Sequence, residues 1–338
     1  MKYGILSALL AMTTVLCAVP ASAQRSRADA RILAEHPFIP STLVGLPFST
    51  RDYDMHIDLG AAYFKFQGLS NDEKAVLAQQ GIDEEMVFGM FQLAFTTQQP
   101  IWKGIALRAN LRGFALSGAT PGAILGQGAD FGFEVGGGPS FQILQTNRVA
   151  IGTGLDVNYG RGYRVTPGPV LEEAAEKINQ AAATGQPPLS GLNQVSTAKL
   201  LERTSSLYVR PRLGMAVGFA SWVGMHTELM YAFSDSEGQR SGRGTSHSVQ
   251  YGLGMSFNFD ALGAYLPLGL NLAYRLEKEL TGNKDLFHRY EFGIHYASTK
   301  HFILGLALEG SVGTVALEGN QSLFQVDVGA RIQMIFYE

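Results

Sequence analysis

Cysteine is nearly missing from this 338-residue chain, and Cys17 is its only one. It sits in an apolar stretch from Ile5 to Val19 that follows Lys2, is broken only by Ser7, Thr13 and Thr14, and runs into Ala21-Ser22-Ala23 before Gln24. A basic start, an apolar middle and a small-residue site mark residues 1–23 as a cleavable secretory signal. The apolar run is shorter than the roughly 20 residues that a membrane-spanning helix needs. Leu16 is larger than the small residue that precedes a lipidated cysteine, so no lipoprotein is expected. The exported chain is then free of thiols in an oxidising compartment, and no disulfide framework can supply its stability.

Charge is scarce too, at 16% of residues. Loss of the signal removes Lys2 and no acid, leaving 25 basic and 29 acidic residues over 315 positions, a net charge of about −4. That balance offers no basic patch for a nucleic acid. Past residue 23, no stretch reaches 18 uninterrupted apolar residues, which excludes helical membrane spans. Catalytic signatures are absent as well: no G-x-S-x-G, H-E-x-x-H or C-x-x-C occurs. Gly126-Gln127-Gly128 and Gly152-Thr153-Gly154 look like phosphate loops, but each opens or lies in an alternating strand with no helix after it. No cofactor or metal is expected.

What is abundant is glycine, with 40 residues, and a period of two. Tyr53, Met55, Ile57, Leu59, Ala61 and Tyr63 alternate with Asp54, His56, Asp58, Gly60 and Ala62; Phe324 to Phe336 alternate in the same way. Such alternation means strands with two unlike faces. The template predicts twelve strands at 52–66, 86–98, 101–116, 127–144, 148–164, 205–219, 222–234, 246–259, 265–277, 287–297, 301–312 and 322–336. Most are longer than the strands of soluble sheets and suit the roughly 9–11 residues needed to cross a bilayer at a tilt.

The connections are expected to alternate. Short turns fall at Gln99-Pro100, Gln145 to Asn147, Ala220-Ser221, Asp260 to Ala264 and Ser298 to Lys300, and longer loops at 67–85, 117–126, 165–204, 235–245, 278–286 and 313–321. Short periplasmic turns opposite longer external loops are the habit of membrane barrels. Aromatics on the apolar face form two predicted girdles. Phe95, Phe141, Phe219, Phe257, Phe259, Tyr296, Phe302 and Phe336 lie at the periplasmic rim; Tyr63, Phe131, Phe133, Tyr159, Tyr231, Phe233, Tyr274 and Phe324 lie at the outer rim. Taken together, the pattern predicts an all-β fold, a transmembrane antiparallel up-and-down barrel of twelve strands over residues 52–338, with short helices in extracellular loops.

The end of the chain resembles the C-terminal assembly signal of Gram-negative outer-membrane β-barrel proteins, a terminal aromatic behind alternating apolar residues: Phe336, with Met334, Ile332, Ala330 and Val328 before it. It departs from that pattern by carrying Tyr337 and Glu338 beyond Phe336. The resemblance covers residues 52 to 338 and is to the general class only. It implies outer-membrane lipids and lipopolysaccharide as surroundings, and the outer-membrane assembly machinery as a partner of the last strand.

Inward positions of such a barrel decide its function. Glycines such as Gly136, Gly152, Gly214 and Gly252 are expected to leave space for water, a ligand or a plug. The constriction is expected from Arg108, Asn110, Arg112, Glu134, Asp156, Arg210, Arg212, His226, Glu228, Arg275, Glu291 and Arg331, whose charges would either select a polar solute or satisfy one another in a filled interior. Two segments could restrict it. Residues 24–51 hold a proline-punctuated apolar run from Pro37 to Phe48, which would form a hatch or dock on a partner; Pro167 to Ala183 reads as an amphipathic helix, which would fold over the mouth, lie on the leaflet or pack on a second loop helix near Asp72 to Gln80.

Three functions therefore stand open: a channel for passive transport of a small polar or amphiphilic solute, a surface-interaction barrel with a blocked lumen, and an outer-membrane hydrolase using His226, Glu228 and Ser256. The last is disfavoured because a lipase must meet lipid at the outer face, whereas these residues point inward.

Overall fold

In a computed structural model the described residues are 52–71, 74–75, 85–119, 128–146, 148–165, 176–177, 201–220, 222–238, 242–259, 268–281, 285–296, 302–316 and 322–337. The proposed signal, the segment 24–51, most of both loop helices and residues 126–127 of the Gly126-Gln127-Gly128 stretch lie outside them. Twelve strands form a closed antiparallel barrel in chain order. They are β1 (Asp52–Gln67), β2 (Glu85–Trp102), β3 (Ile105–Gly118), β4 (Ala129–Gln145), β5 (Val149–Val165), β6 (Leu201–Ala220), β7 (Val223–Gly238), β8 (Gly242–Asn258), β9 (Leu268–Glu279), β10 (Leu286–Tyr296), β11 (Phe302–Ala316) and β12 (Ser322–Tyr337).

The faces are inside out for a protein in water. On β11, Leu306 and Leu308 are 61% and 63% exposed, while the intervening Ala307 is 4% exposed. Around the wall the exposed large residues are Leu, Ile, Val, Phe, Trp and Tyr, and most of the buried polar ones point into the barrel. Apolar surface on this scale would cost about 25 cal/mol per Å² in water, so the outer face belongs in lipid. The two girdles are present in part as ring contacts, Phe302 on Phe336 at 5.0 Å below and Phe131 on Tyr163 at 5.4 Å above. Beyond the outer girdle, Lys65 meets Glu85 at 2.6 Å. The hydrogen bond from the Lys65 ammonium holds the Glu85 carboxyl below the usual carboxylate range, as befits a pair in water.

Several boundaries differ from expectation. β2 does not end before Gln99-Pro100 but continues to Trp102 through a bulge, and the chain turns at Gly104, where φ is +76°. Proline survives inside a strand there because a bulge asks no ladder hydrogen bond of it. The expected loop 235–245 is a tight hairpin between Gly238 and Gly242, extended above the membrane by Ser234 bonding Ser246 at 2.8 Å and Arg243 bonding Asp235. β6 starts at Leu201, inside the expected loop 165–204. The β8–β9 connection spans nine residues, 259–267, so loop lengths do not alternate strictly; the even strand count alone puts both strand termini on one side.

Closure depends on one seam. β1 pairs β12 over sixteen residues, from Asp52↔Tyr337 to Gln67↔Ser322. Across it Arg331 ion-pairs with Asp58, and Gln333 donates to Asp54 at 2.8 Å. The same guanidinium reaches Glu291 on β10 at 3.3 Å and Glu309 on β11, so one cation ties four strands on the inner wall.

Two outcomes are expected. Leu306→Lys, on the lipid face near mid-height, should destabilise the barrel by about 2–4 kcal/mol in urea titrations of vesicle-embedded protein. Arg331→Met leaves three inward carboxylates without their shared cation and should cost about 3–5 kcal/mol in the same assay.

Candidate functional site

Inward positions of the strands surround a lumen cavity of about 490 Å³. Strand alternation places its lining: on β3, Arg108, Asn110, Arg112, Phe114 and Leu116 share the inner face, while Leu107 and Leu111 face lipid. The twelve residues expected to line the interior resolve into separate groups rather than one ring.

The first group is a buried triad. Asp156 receives Arg212 at 3.3 Å and Arg108 at 3.6 Å, and Arg212 also donates to Ser140 Oγ at 2.6 Å. Gly154 makes this possible, because a Cβ there would meet the Arg212 guanidinium at 2.9 Å. At this position, and at Gly293 beside Asn271, the room that glycine leaves is taken by a neighbouring side chain rather than by open space. β4 approaches β3 equally closely at Gly137, where φ is +151° and a Cβ would fall 2.0 Å from the Arg108 carbonyl oxygen.

In the second group Arg210 donates to Glu134 at 2.8 Å, Asn158 also donates to Glu134, and Asn110 donates to Asn158 at 3.4 Å. A third is the Arg331 cluster, in which Asn271 donates to Glu291 at 2.9 Å. Arg112 stands apart. It bonds the Gln92 side chain at 2.8 Å, and no carboxylate among the described residues lies within ion-pair distance of it.

His226 faces Gly254 across the β7–β8 ladder, as expected, with Ser256 opposite Gly224. His226, Glu228 and Ser256 are all buried in the inner wall. Glu228 lies within electrostatic reach of Arg212 and Arg275, which makes it a counter-charge of the lumen. Among the described residues, no group of three metal-ligating side chains occurs.

Two features escaped the sequence reading. Arg289 on β10 faces the same cavity, directly opposite Arg275 on β9. It lies two residues before Glu291 on the same face, and that spacing was signal enough to find it. The second is an apolar sector on the inner wall: Ala62, Met86 and Phe88 are buried together, with Phe64, Phe66, Met90 and Leu116 packed on them.

The sequence matches no protein-family model and none of the curated proteins. Solved structures of similar fold include the translocator domain of the autotransporter NalP from Neisseria meningitidis, at 8% identity over 85% of this chain and 90% of that one, TM-score 0.46. The transport unit of the autotransporter AIDA-I from Escherichia coli is 12% identical over 90% and 95%, TM-score 0.46. The Pseudomonas putida toluene transporter TodX is 9% identical over 91% and 92%, TM-score 0.39. Likeness at this level is one of fold alone. By its own geometry, a closed antiparallel cylinder with an apolar outer face and a polar inner one, the chain is an outer-membrane-type β-barrel of twelve strands.

Proposed function

We propose that this barrel is an outer-membrane channel or facilitator through which a small polar or amphiphilic solute passes passively. The observation that carries this reading is the state of Arg112 and Arg289. Both point inward from opposite parts of the wall, line the cavity, and are nonetheless exposed. Accessible guanidinium surface inside a closed barrel is surface on a water-filled lumen, and in a filled interior such cations would be buried and paired. Twelve strands sit between small barrels filled by their own side chains and the wide porins, so side chains set the bore.

The blocked-lumen alternative draws on the Asp156 triad and the Arg331 cluster, whose charges neutralise one another. A hydrolase is a poorer reading, since His226, Glu228 and Ser256 are buried away from the lipid face. Export through a cleaved signal, a Gram-negative outer membrane rich in lipopolysaccharide, and delivery by the assembly machinery through the strand ending at Phe336 complete the proposal.

Purified barrel in planar bilayers should give a steady ohmic single-channel conductance; its complete absence would favour the blocked barrel. Arg112→Gln should move the reversal potential in a salt gradient toward cation preference, and an unmoved potential would sink the assignment of Arg112 to the conducting path.

A further inference from the structure

The lumen cavity is chemically two-sided, and the two sides meet at β3. Arg112 and Phe114 are alternate residues on its inner face, so their side chains leave the wall roughly 7 Å apart. The Phe114 ring points inward, over Gly132, and is still 40% exposed, so it presents apolar surface to the cavity rather than to lipid. Beside it, Met90 pairs with Leu116, and both rest on the buried Ala62–Met86–Phe88 cluster. An apolar sector in an aqueous lumen is costly unless something apolar covers it.

The polar side carries unspent positive charge. The carboxylates of the cavity are engaged: Asp58 and Glu309 by Arg331, Glu134 by Arg210, Asp156 by Arg108 and Arg212, Asp130 by Arg164, and Asp327 by Ser311 at 2.6 Å. Arg112 holds only the Gln92 side chain, and Arg289 forms no hydrogen bond or ion pair among the described residues. Arg289 faces Arg275 across the β9–β10 ladder, and Arg112 is within electrostatic reach of Arg289 and Arg210. Like charges placed opposite one another destabilise a wall unless an anion lies between them.

We propose that the cavity is a binding site for a small organic anion with an aromatic or short apolar body, its carboxylate bridging Arg112 and Arg289 and its body lying on Phe114, Met90 and Leu116. This rests on the channel reading above and names the class of solute that it would pass. Arginine forks match a carboxylate in two hydrogen bonds, and the apolar sector rejects equally charged but fully hydrated ions. A neutral aromatic would leave the guanidiniums unanswered, and a bare carboxylate would leave the ring uncovered.

The test is titration calorimetry on the full barrel in an uncharged detergent, with benzoate, benzyl alcohol and acetate as probes. Benzoate should bind, and the other two should bind at least about tenfold more weakly, a difference of about 1.4 kcal/mol. Arg112→Gln, Arg289→Gln and Phe114→Ala should each weaken benzoate by about tenfold, checked on protein whose heat-modifiable gel migration shows a folded barrel. Equal binding of benzyl alcohol or acetate in the unmodified barrel would overturn the proposal whatever the variants do. So would unchanged benzoate affinity in folded Arg289→Gln. Because calorimetry needs no transport, benzoate binding by a barrel that carries no current would keep this site and refute the channel. Current without benzoate binding would do the reverse.

Discussion

Everything in this barrel depends on the pairing of β1 with β12. In lipid no water can satisfy a free backbone amide or carbonyl, so a sheet with an edge cannot reside there and only a closed one can. The sixteen-residue seam completes the ladder. It also brings Asp54 and Asp58, from the start of the barrel, against Gln333 and Arg331 from its end. Arg331 then extends the closure inward by gathering carboxylates from β10 and β11. An ion pair between strands more than 270 residues apart in sequence exists only because the cylinder is shut.

Closure also divides the work of the two faces. The outer face contributes lipid contact through leucines and aromatics and needs no precise fit. The inner face must place charges without water to shield them, so most are locked into groups: Asp156 with two arginines, Glu134 with Arg210 and Asn158, Arg331 with three acids. Glycine serves this locking by letting Arg212 lie on the wall over Gly154. Against that neutralised background, Arg112 and Arg289 stand out as cations with no carboxylate at ion-pair distance among the described residues, next to the exposed ring of Phe114. Function is sought where the pattern of mutual satisfaction stops.

Much of the fold was legible because a strand with lipid on one side and water on the other must alternate, and that period placed all twelve strands, each end within about four residues of the observed one. β2 shows where the signal is weakest. Met86, Phe88 and Met90 face inward and Val87, Phe91 and Leu93 face out, so the strand is apolar on both sides and its period of two is faint. The inward apolar sector was invisible for that reason. The misplaced turn at Gln99-Pro100 has a different cause, since proline reads as a turn unless a bulge, which sequence does not reveal, relieves it.

The sequence by itself determined the local facts: that twelve strands lie between residues 52 and 337, which side of most of them is apolar, and hence that a polar interior rich in arginine and carboxylate must exist. These follow from covalent alternation along an extended chain, which needs no partner strand. Tertiary structure alone decided which charges meet. Arg108 and Arg212 share Asp156, Arg331 serves three acids, and Arg112 with Arg289 are left over among the described residues, because inter-strand register and wall curvature set distances that no spacing along the chain encodes. That remainder turns a barrel legible as a fold into a lumen with a chemical preference.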